Sequence, residues 1–378
     1  MSKKDYEMNE DIIRIWSTFI PDEAGKEVQK ILKSKWINTG KQEKLFRQKV
    51  SEKFNIPYCV ATNNGTAALR ASLAALGVGL GDEVVSTPYT FIATNTSILE
   101  QGAIPVFADI QYDTLNIDPQ SIAEKITDKT KAIMCVHYGG NPCDMDEIRE
   151  IGLEHNLPII EDSAHAMGSK YKGQYIGSTG DIIAFSFQVV KIITCGDGGI
   201  IATPKEKYYK KLKKYVWYGV DREQKKVNLI DPLPDRIDIL GFKYNMNDIT
   251  ATIGIVGIDN IDISLQRRRE IGERYRKELS NCSKIKLLYY SPDNEPNYQI
   301  FPIHVDNRLD FAKYMKKYSI MVNVNNRRND RYSIFGGEQN LPVTERVDKD
   351  VILIPIHADL TDAQVERIIE TIKEYDRN

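Results

Sequence analysis

From residue 58 to residue 203 the chain alternates short, continuous apolar runs with stretches of helical periodicity, and this constrains the fold more than any other feature. YCVAT (58–62) leads into TAALRASLAAL (66–76), EVVST (83–87) into a helix predicted near 92–101, and IPVFADI (104–110) into one near 119–127. AIMCVH (132–137) precedes MDEIREIGLEH (145–155), and PIIED (158–162), DIIAFSF (181–187) and GGIIATP (198–204) follow. A strand with one wet face alternates apolar and polar residues, whereas a strand covered on both faces is apolar throughout. Continuous runs separated by helices therefore predict an α/β fold, a three-layer α/β/α large domain around a mostly parallel sheet. In such sheets ligands bind beyond the carboxyl ends of the strands, so the residues that follow each run come first as candidates for chemistry.

Beyond this region the pattern changes. Residues 218–238 are polar and read as a long loop, and 249–278 reads as one long helix containing Arg267, Arg268 and Arg269. KIKLLYY (284–290), YQIFPIHV (298–305) and VILIPIH (351–357) alternate with two helices, which predicts a smaller C-terminal α+β domain. The length of 378 residues suits two domains. The expected division is an N-terminal segment, 1–30, packing with the small domain; a large domain, 31–250; and a hinge helix with the small domain, 251–378.

Composition narrows the function classes. A net charge of −2 argues against a nucleic-acid footprint. The densest basic run, KYYKKLKK (207–214), reads as a solvated helix face, with help in holding an anionic substrate as the alternative. No stretch approaches 18 uncharged apolar residues, and MSKKDYEMNEDIIRIW has no apolar run of signal-peptide length, so neither a membrane span nor export is expected. Five cysteines without a C-x-x-C pair suggest reduced thiols in a cytoplasmic protein, with no disulfide frame and no metal site.

Several residues stand where chemistry is expected. Asp162 ends an apolar strand; it is either a helix cap or a buried carboxylate awaiting a cation such as a protonated pyridine nitrogen. Asn64-Gly65-Thr66 opens a helix after a strand, either an ordinary turn or a phosphate cradle built on backbone N–H groups. Gly77, Gly79 and Gly81 have the wrong spacing and context for a dinucleotide site. Lys191 follows Ser186 beyond an apolar strand, where desolvation would free its amine as a nucleophile, although considered alone it reads as a surface lysine in a loop. Gly196-Asp197-Gly198-Gly199 then supplies a tight turn. His137 reads first as a hydrogen-bonded structural residue. Asp162 and His165 do not form a hydrolase triad, because G-x-S-x-G is missing and Ser163 lies between them on one short turn.

Taken together, WINTG (36–40), NNGTAAL (63–69), PYTFIATNTSI (88–98), EDSAHAMG (161–168), SFQVVKIITCGDGG (186–199), GFKYNMNDITATIG (241–254) and IPIHADLTDAQVERI (354–368) resemble the DegT/StrS-type sugar aminotransferases over nearly the whole chain. That family belongs to the aspartate-aminotransferase superfamily, fold type I of the pyridoxal-phosphate (PLP) enzymes. The resemblance implies that Lys191 carries the cofactor as a Schiff base and serves as catalytic base. It implies that Asp162 pairs with the pyridine nitrogen, His165 lies near the ring hydroxyl, and Phe91 stacks on the ring. Asn64, Gly65, Thr66 and Ser186 would form the phosphate site. Asn245, with Lys243 beside it, would reach the active site of a neighbouring subunit, which implies a homodimer with shared sites.

The implied reaction moves an amino group from an amino acid, L-glutamate by family analogy, to a ketosugar. The acceptor would be nucleotide-linked and the product an aminosugar for surface polysaccharide, with a free keto-sugar acid as the alternative. Pyridoxamine-dependent sugar dehydratases on the same fold carry histidine where Lys191 stands, which disfavours that reading. A cofactor-bearing scaffold without turnover is opposed by the intact set of residues. Two departures bear on substrate: Lys243-Tyr244-Asn245 replaces Asn-Tyr-Arg, and 323–337 lacks a His-Tyr-x-Pro-Leu-His-like stretch. Arg327 and Arg328 in that segment could fork onto a diphosphate or a sugar carboxylate, or form a solvated turn.

Overall fold

The computed structural model describes residues 11–223, 236–324 and 326–377. The first ten residues of the expected N-terminal segment, and 224–235 of the expected loop, lie outside the described residues. The large sheet contains β1 (Tyr58–Thr62), β2 (Glu83–Ser86), β3 (Ile104–Phe107), β4 (Thr130–Val136) and β5 (Ile159–Asp162). After a small hairpin, β6 (Lys170–Tyr171) and β7 (Gln174–Tyr175), it is completed by β8 (Ile182–Ser186) and β9 (Gly199–Thr203). The order is β1-β9-β8-β5-β4-β2-β3, with β9 antiparallel to both its neighbours and every other pair parallel. The sheet is mostly parallel, as the apolar runs predict.

Successive residues of one strand feed opposite layers. Ile183 and Phe185 of β8 join Phe46, Val50, Phe54 and Ile200 on one face. Ile182 and Ala184 join Leu69, Leu73, Met134 and Ile201 on the other. This is the period-2 geometry of a strand with both faces dry. Helices α1 (Glu23–Ser34) and α2 (Lys41–Phe54) precede β1, and α3 (Gly65–Leu76), α4 (Ile92–Leu99), α5 (Pro119–Lys125), α6 (Met145–Glu154) and α7 (Glu206–Tyr215) lie between or after the strands. In α3, Asn64 Oδ1 accepts from Ala67 N at 2.7 Å, and Gly77 closes the helix in the left-handed region at φ 78°. Its buried alanines, Ala68, Ala71 and Ala75, favour the helix and let it lie close to the sheet. The basic run falls on α7, where Lys213 pairs with Asp221 and Glu223 and Lys211 donates to the Ala75 carbonyl.

The single helix expected over 249–278 is instead two, α8 (Asp248–Asp259) and α9 (Ile261–Glu278). Asn260 leaves helical geometry at φ −111°, ψ 6°, and its side-chain amide donates back to the Val256 carbonyl at 2.9 Å. Asn competes in this way for backbone partners, and apolar periodicity does not reveal it. After α9 come β10 (Ile285–Leu287), β11 (Asn294–Glu295), β12 (Phe301–Val305), α10 (Arg308–Lys317), α11 (Pro342–Asp350), β13 (Val351–Ile354) and α12 (Asp362–Arg377). Strands β10, β12 and β13 form an antiparallel sheet, and β11 extends the β6–β7 hairpin. Its core gathers Ile271, Tyr275, Phe301, Ile303, Phe311, Ile368 and Ile372, and Ile13 joins it through a bridge to Ile320. Among the described residues no helix is long and apolar enough to cross a membrane.

Candidate active site

At the carboxyl ends of β4, β5 and β8 lies a cavity of about 380 Å³. It brings together Asn64, Gly65, Thr66, Phe91, Asp162, His165, Ser186 and Lys191, which the sequence scatters over more than 120 residues. Lys191 stands on the loop between β8 and β9. The loop is fixed from behind: Ile192 and Ile193 are buried in the core, and Ser264 Oγ donates to the Ile192 carbonyl at 3.1 Å. Cys195 N and Thr194 Oγ1 both donate to the Phe187 carbonyl, at 2.9 and 3.1 Å. Gly196 turns the chain into β9 at φ 82°, a conformation that favours glycine. Desolvation lowers the Lys191 amine to about 8, against the opposing pull of the Asp162 charge. A fraction of it is therefore an uncharged nucleophile near neutral pH.

Asp162, at the end of β5, is 5% exposed. Its Oδ2 accepts from Thr94 Oγ1 at 2.7 Å and its Oδ1 from Ala164 N at 3.1 Å, so the carboxylate is held rigidly. Burial raises its pKa, while these two hydrogen bonds and the charge of Lys191 oppose the shift. A carboxylate in that condition gains from a cationic ligand. The Ala164 bond resembles a turn cap, but the cavity also opens onto the side chain.

The start of α3 meets the end of β8 closely. A Cβ at Gly65 would lie 2.8 Å from Ser186 Cβ, so only glycine lets the helix start approach the strand. Gly65 and Thr66, at the start of the helix where the N–H groups have no helical partners, line the cavity, and a helix start favours an anion. Phe91, the residue before α4, lines the cavity with 64% of its surface exposed. His165 Nδ1 accepts from Gly139 N at 3.4 Å, which leaves the ring proton on Nε2. Burial, and then the Lys191 charge, hold His165 well below the usual histidine range, so it is neutral.

His137 is structural, as the sequence suggests first. It is fully buried, accepts from Cys143 N through Nδ1 at 3.1 Å, and meets the buried Glu161 through Nε2 at 3.0 Å. Asn245 and Lys243 do not line this cavity. Asn245 bridges to Thr62 and donates to Thr39 Oγ1, while Lys243 Nζ donates to Asn245 Oδ1 at 2.8 Å and lies 4.0 Å from the centre of the Trp217 ring. Arg328 corrects the expectation of a substrate-binding fork. It is 2% exposed, and its guanidinium is taken by Asp330 at 2.8 and 2.6 Å and by the Gln339 carbonyl at 2.9 Å. Arg327 is exposed and does not line the cavity.

The cavity also contains groups not singled out in the sequence. Thr94 lies in the first turn of α4, three residues after Phe91, and lines the cavity with it. Arg268 of α9, Gln299 and Asn326 contribute the wall from the C-terminal half. Among the described residues, Gln299 Oε1 and both amide atoms of Asn326 are buried without hydrogen-bond partners.

These groups make three separate demands on a ligand. Lys191 asks for an electrophilic carbonyl, Asp162 for a cationic ring nitrogen, and the start of α3 for a phosphate. Pyridoxal phosphate meets all three, and the sheet with its layered helices is that of the fold type I PLP-dependent transferases. Within that class the chain belongs to the DegT/DnrJ/EryC1/StrS aminotransferase family, whose model matches residues 19–373. GDP-perosamine synthase of Escherichia coli O157:H7 is 38% identical over 269 residues, 70% of this chain and 71% of that protein. The spore coat polysaccharide biosynthesis protein SpsC of Bacillus subtilis is 30% identical over 368 residues, 94% of this chain and 95% of its own. The PLP form of Spr1654 from Streptococcus pneumoniae superposes with a TM-score of 0.88 at 30% identity, covering 97% of this chain and 99% of that one. The resemblance read in the sequence is thus established, and the protein is a PLP-dependent aminotransferase.

Proposed function

We propose that the protein moves an amino group from L-glutamate to a nucleotide-linked ketosugar, making an aminosugar for a surface polysaccharide or related glycoconjugate. The observation that carries this reading is the convergence of Lys191 and Asp162 in one cavity, on a chain similar to a GDP-perosamine synthase. When bound, the cofactor supplies an electron sink for the carbon that loses or gains the amino group. The chain's residues do the rest. Lys191 Nζ takes the proton from the donor's α-carbon and returns one on the other side of the exchange. Its lowered pKa matches both tasks near neutral pH. Asp162, steadied by Thr94 and Ala164, keeps a positive charge on the ring nitrogen. The amide atoms of Asn326, without partners among the described residues, suit the hydroxyl groups of a sugar, because a buried polar atom gains most from a partner that supplies its missing bonds.

The sugar assignment is tested by presenting the pyridoxamine form with nucleotide-linked and free ketosugars. The expected result is rapid amination of a nucleotide-linked ketone only. Asn326→Leu is expected to raise the half-saturating concentration of that acceptor about tenfold, the worth of roughly 1.4 kcal/mol of hydrogen bonding. The glutamate half-reaction should stay unchanged, as stopped-flow spectra of each half would show.

The titration of Lys191 gives a second check. The apoprotein should condense with pyridoxal phosphate faster as pH rises, with a midpoint near 8. The sign follows because only the uncharged amine attacks and burial depresses its pKa. A midpoint above 10, that of a solvated lysine, would contradict the buried placement.

Shared sites in a homodimer are part of the same proposal. Asn245 and Lys243 lie outside their own chain's cavity, and Trp36, Ile37 and Leu240 are exposed apolar residues at 62%, 49% and 82%. Such surface favours burial against a second copy. Lys191→Ala and Asn245→Ala proteins, each nearly inactive, are expected to regain activity when their subunits are exchanged. A heterodimer has one intact site of two, so an even mixture should recover about a quarter of wild-type turnover. No recovery, with exchange confirmed by mass, would show that Asn245 serves its own chain.

A further inference from the structure

We infer that Trp16 is the platform on which the nucleobase of the acceptor stacks. This rests on the nucleotide-linked ketosugar proposed above and names the residue that meets its nucleoside. Trp16 lines the cavity with 46% of its surface exposed, so its indole stands at the rim and outside the packed wall. Among the described residues its side chain has no hydrogen bond and no ring contact. Trp217, by contrast, already holds Arg222 and Lys243 at 4.5 and 4.0 Å from its ring centre. An open aromatic face beside a ligand cavity suits a second flat ring, and every nucleobase offers one.

The ring is carried on pinned backbone. Ile13 N donates to the Ser319 carbonyl and the Ile13 carbonyl accepts from Met321 N, both at 2.9 Å, which pairs this segment in parallel with the chain at Ile320. That chain is tied in turn to β13, where Leu353 N donates to the Asn323 carbonyl at 2.7 Å. His357 Nε2 donates to the Arg14 carbonyl at 3.3 Å, and Ser17 Oγ donates to Asp359. Ile13 and Ile15 are buried, so Trp16, next in an extended segment, falls on the opposite, open side. A side chain on such a backbone loses little freedom when a ligand covers it.

The position also suits the order of groups in the acceptor. The carbon that gains the amino group must reach Lys191, and the sugar hydroxyl groups fall to Asn326; both residues line the same cavity as Trp16. The diphosphate and nucleoside extend from the sugar away from the reacting carbon, toward the rim. The base is thus the part of the substrate that a rim aromatic meets.

The test is calorimetric titration of the PLP-bound enzyme with uridine, guanosine and thymidine diphosphates, and with inorganic pyrophosphate, which has no base. Trp16→Ala is expected to weaken the tightest of the three nucleotides about tenfold, the usual worth of one base stacked on an aromatic side chain. Trp16→Phe keeps an aromatic face and should stay within about threefold of the unmodified enzyme. Pyrophosphate binding should change less than about twofold in either variant, because it makes no stack. That nucleotide should also quench indole fluorescence in the unmodified enzyme, and the Trp16→Phe protein should lose the change, a signal that a merely structural role would not give. Equal nucleotide affinity in the unmodified and Trp16→Ala proteins, a loss as large for pyrophosphate, or no nucleotide binding by the unmodified enzyme would overturn the assignment. If a nucleotide-linked ketosugar is nonetheless aminated, such a result strikes Trp16 alone. If only free ketosugars are aminated, the nucleotide-linked reading itself falls and the platform with it.

Discussion

Lys191→Ala is expected to lower turnover by at least about 10³-fold, because it removes the general base of the proton shift and the covalent anchor together. Folding should be largely unaffected. The side chain projects from a loop held by Ile192, Ile193 and Ser264, none of which depends on the amine. Burial of that amine is itself unfavourable, as its lowered pKa shows. The variant should still bind cofactor, since the start of α3, Asp162 and Phe91 remain, but without the covalent bond. Single-turnover rates with glutamate and circular-dichroism melting together check this. Transamination near the wild-type rate would remove Lys191 from its role.

Asp162→Asn has the second largest effect, and its two consequences run in opposite directions. The amide is isosteric: its oxygen can accept from Ala164 N and its NH2 group can donate to Thr94 Oγ1, so local geometry survives. It cannot hold a positive charge on a ring nitrogen, and turnover should fall by about 10²- to 10³-fold. Stability of the cofactor-free protein should rise. Burial lifts the folded pKa of Asp162 above its unfolded value. The protonated form is thus the one that folding favours, and stability is lost as pH climbs past the unfolded carboxylate range. At neutral pH the ionised side chain is a standing cost that a neutral amide removes. A variant less active yet melting higher is what a carboxylate kept for a ligand produces. A lower melting temperature together with unchanged turnover would mean that Asp162 is only a cap.

Much of this was legible in the chain itself. Ile182 to Phe185 read as a strand dry on both faces because every residue is apolar, and the two layers confirm the reason. Asp162 and Lys191 stood just beyond such runs, where a doubly covered sheet leaves its ligand site. Other parts were hidden for identifiable reasons. Asn260 ends a helix through a side-chain bond to Val256, which apolar periodicity does not register. Arg328 looked free because nothing in sequence tells whether Asp330, two residues on, takes its guanidinium or leaves it to a ligand. Arg268 was lost within an Arg-Arg-Arg run whose members point in different directions. Arg267 reaches Asp362, Arg269 the Gly168 carbonyl, and Arg268 is turned inward. Asn326 and Gln299 show no local pattern, since their importance lies in unmet hydrogen bonds that exist only once the fold is formed.

The central claim is that Lys191 and Asp162 operate a cofactor that accepts an amino group from one substrate and gives it to another. The visible absorption spectrum of the purified protein with bound cofactor tests it most directly. Addition of L-glutamate should bleach the band of the lysine-bound cofactor, and subsequent addition of a nucleotide-linked ketosugar should restore it. A spectrum that neither glutamate nor any other amino acid changes would contradict the account.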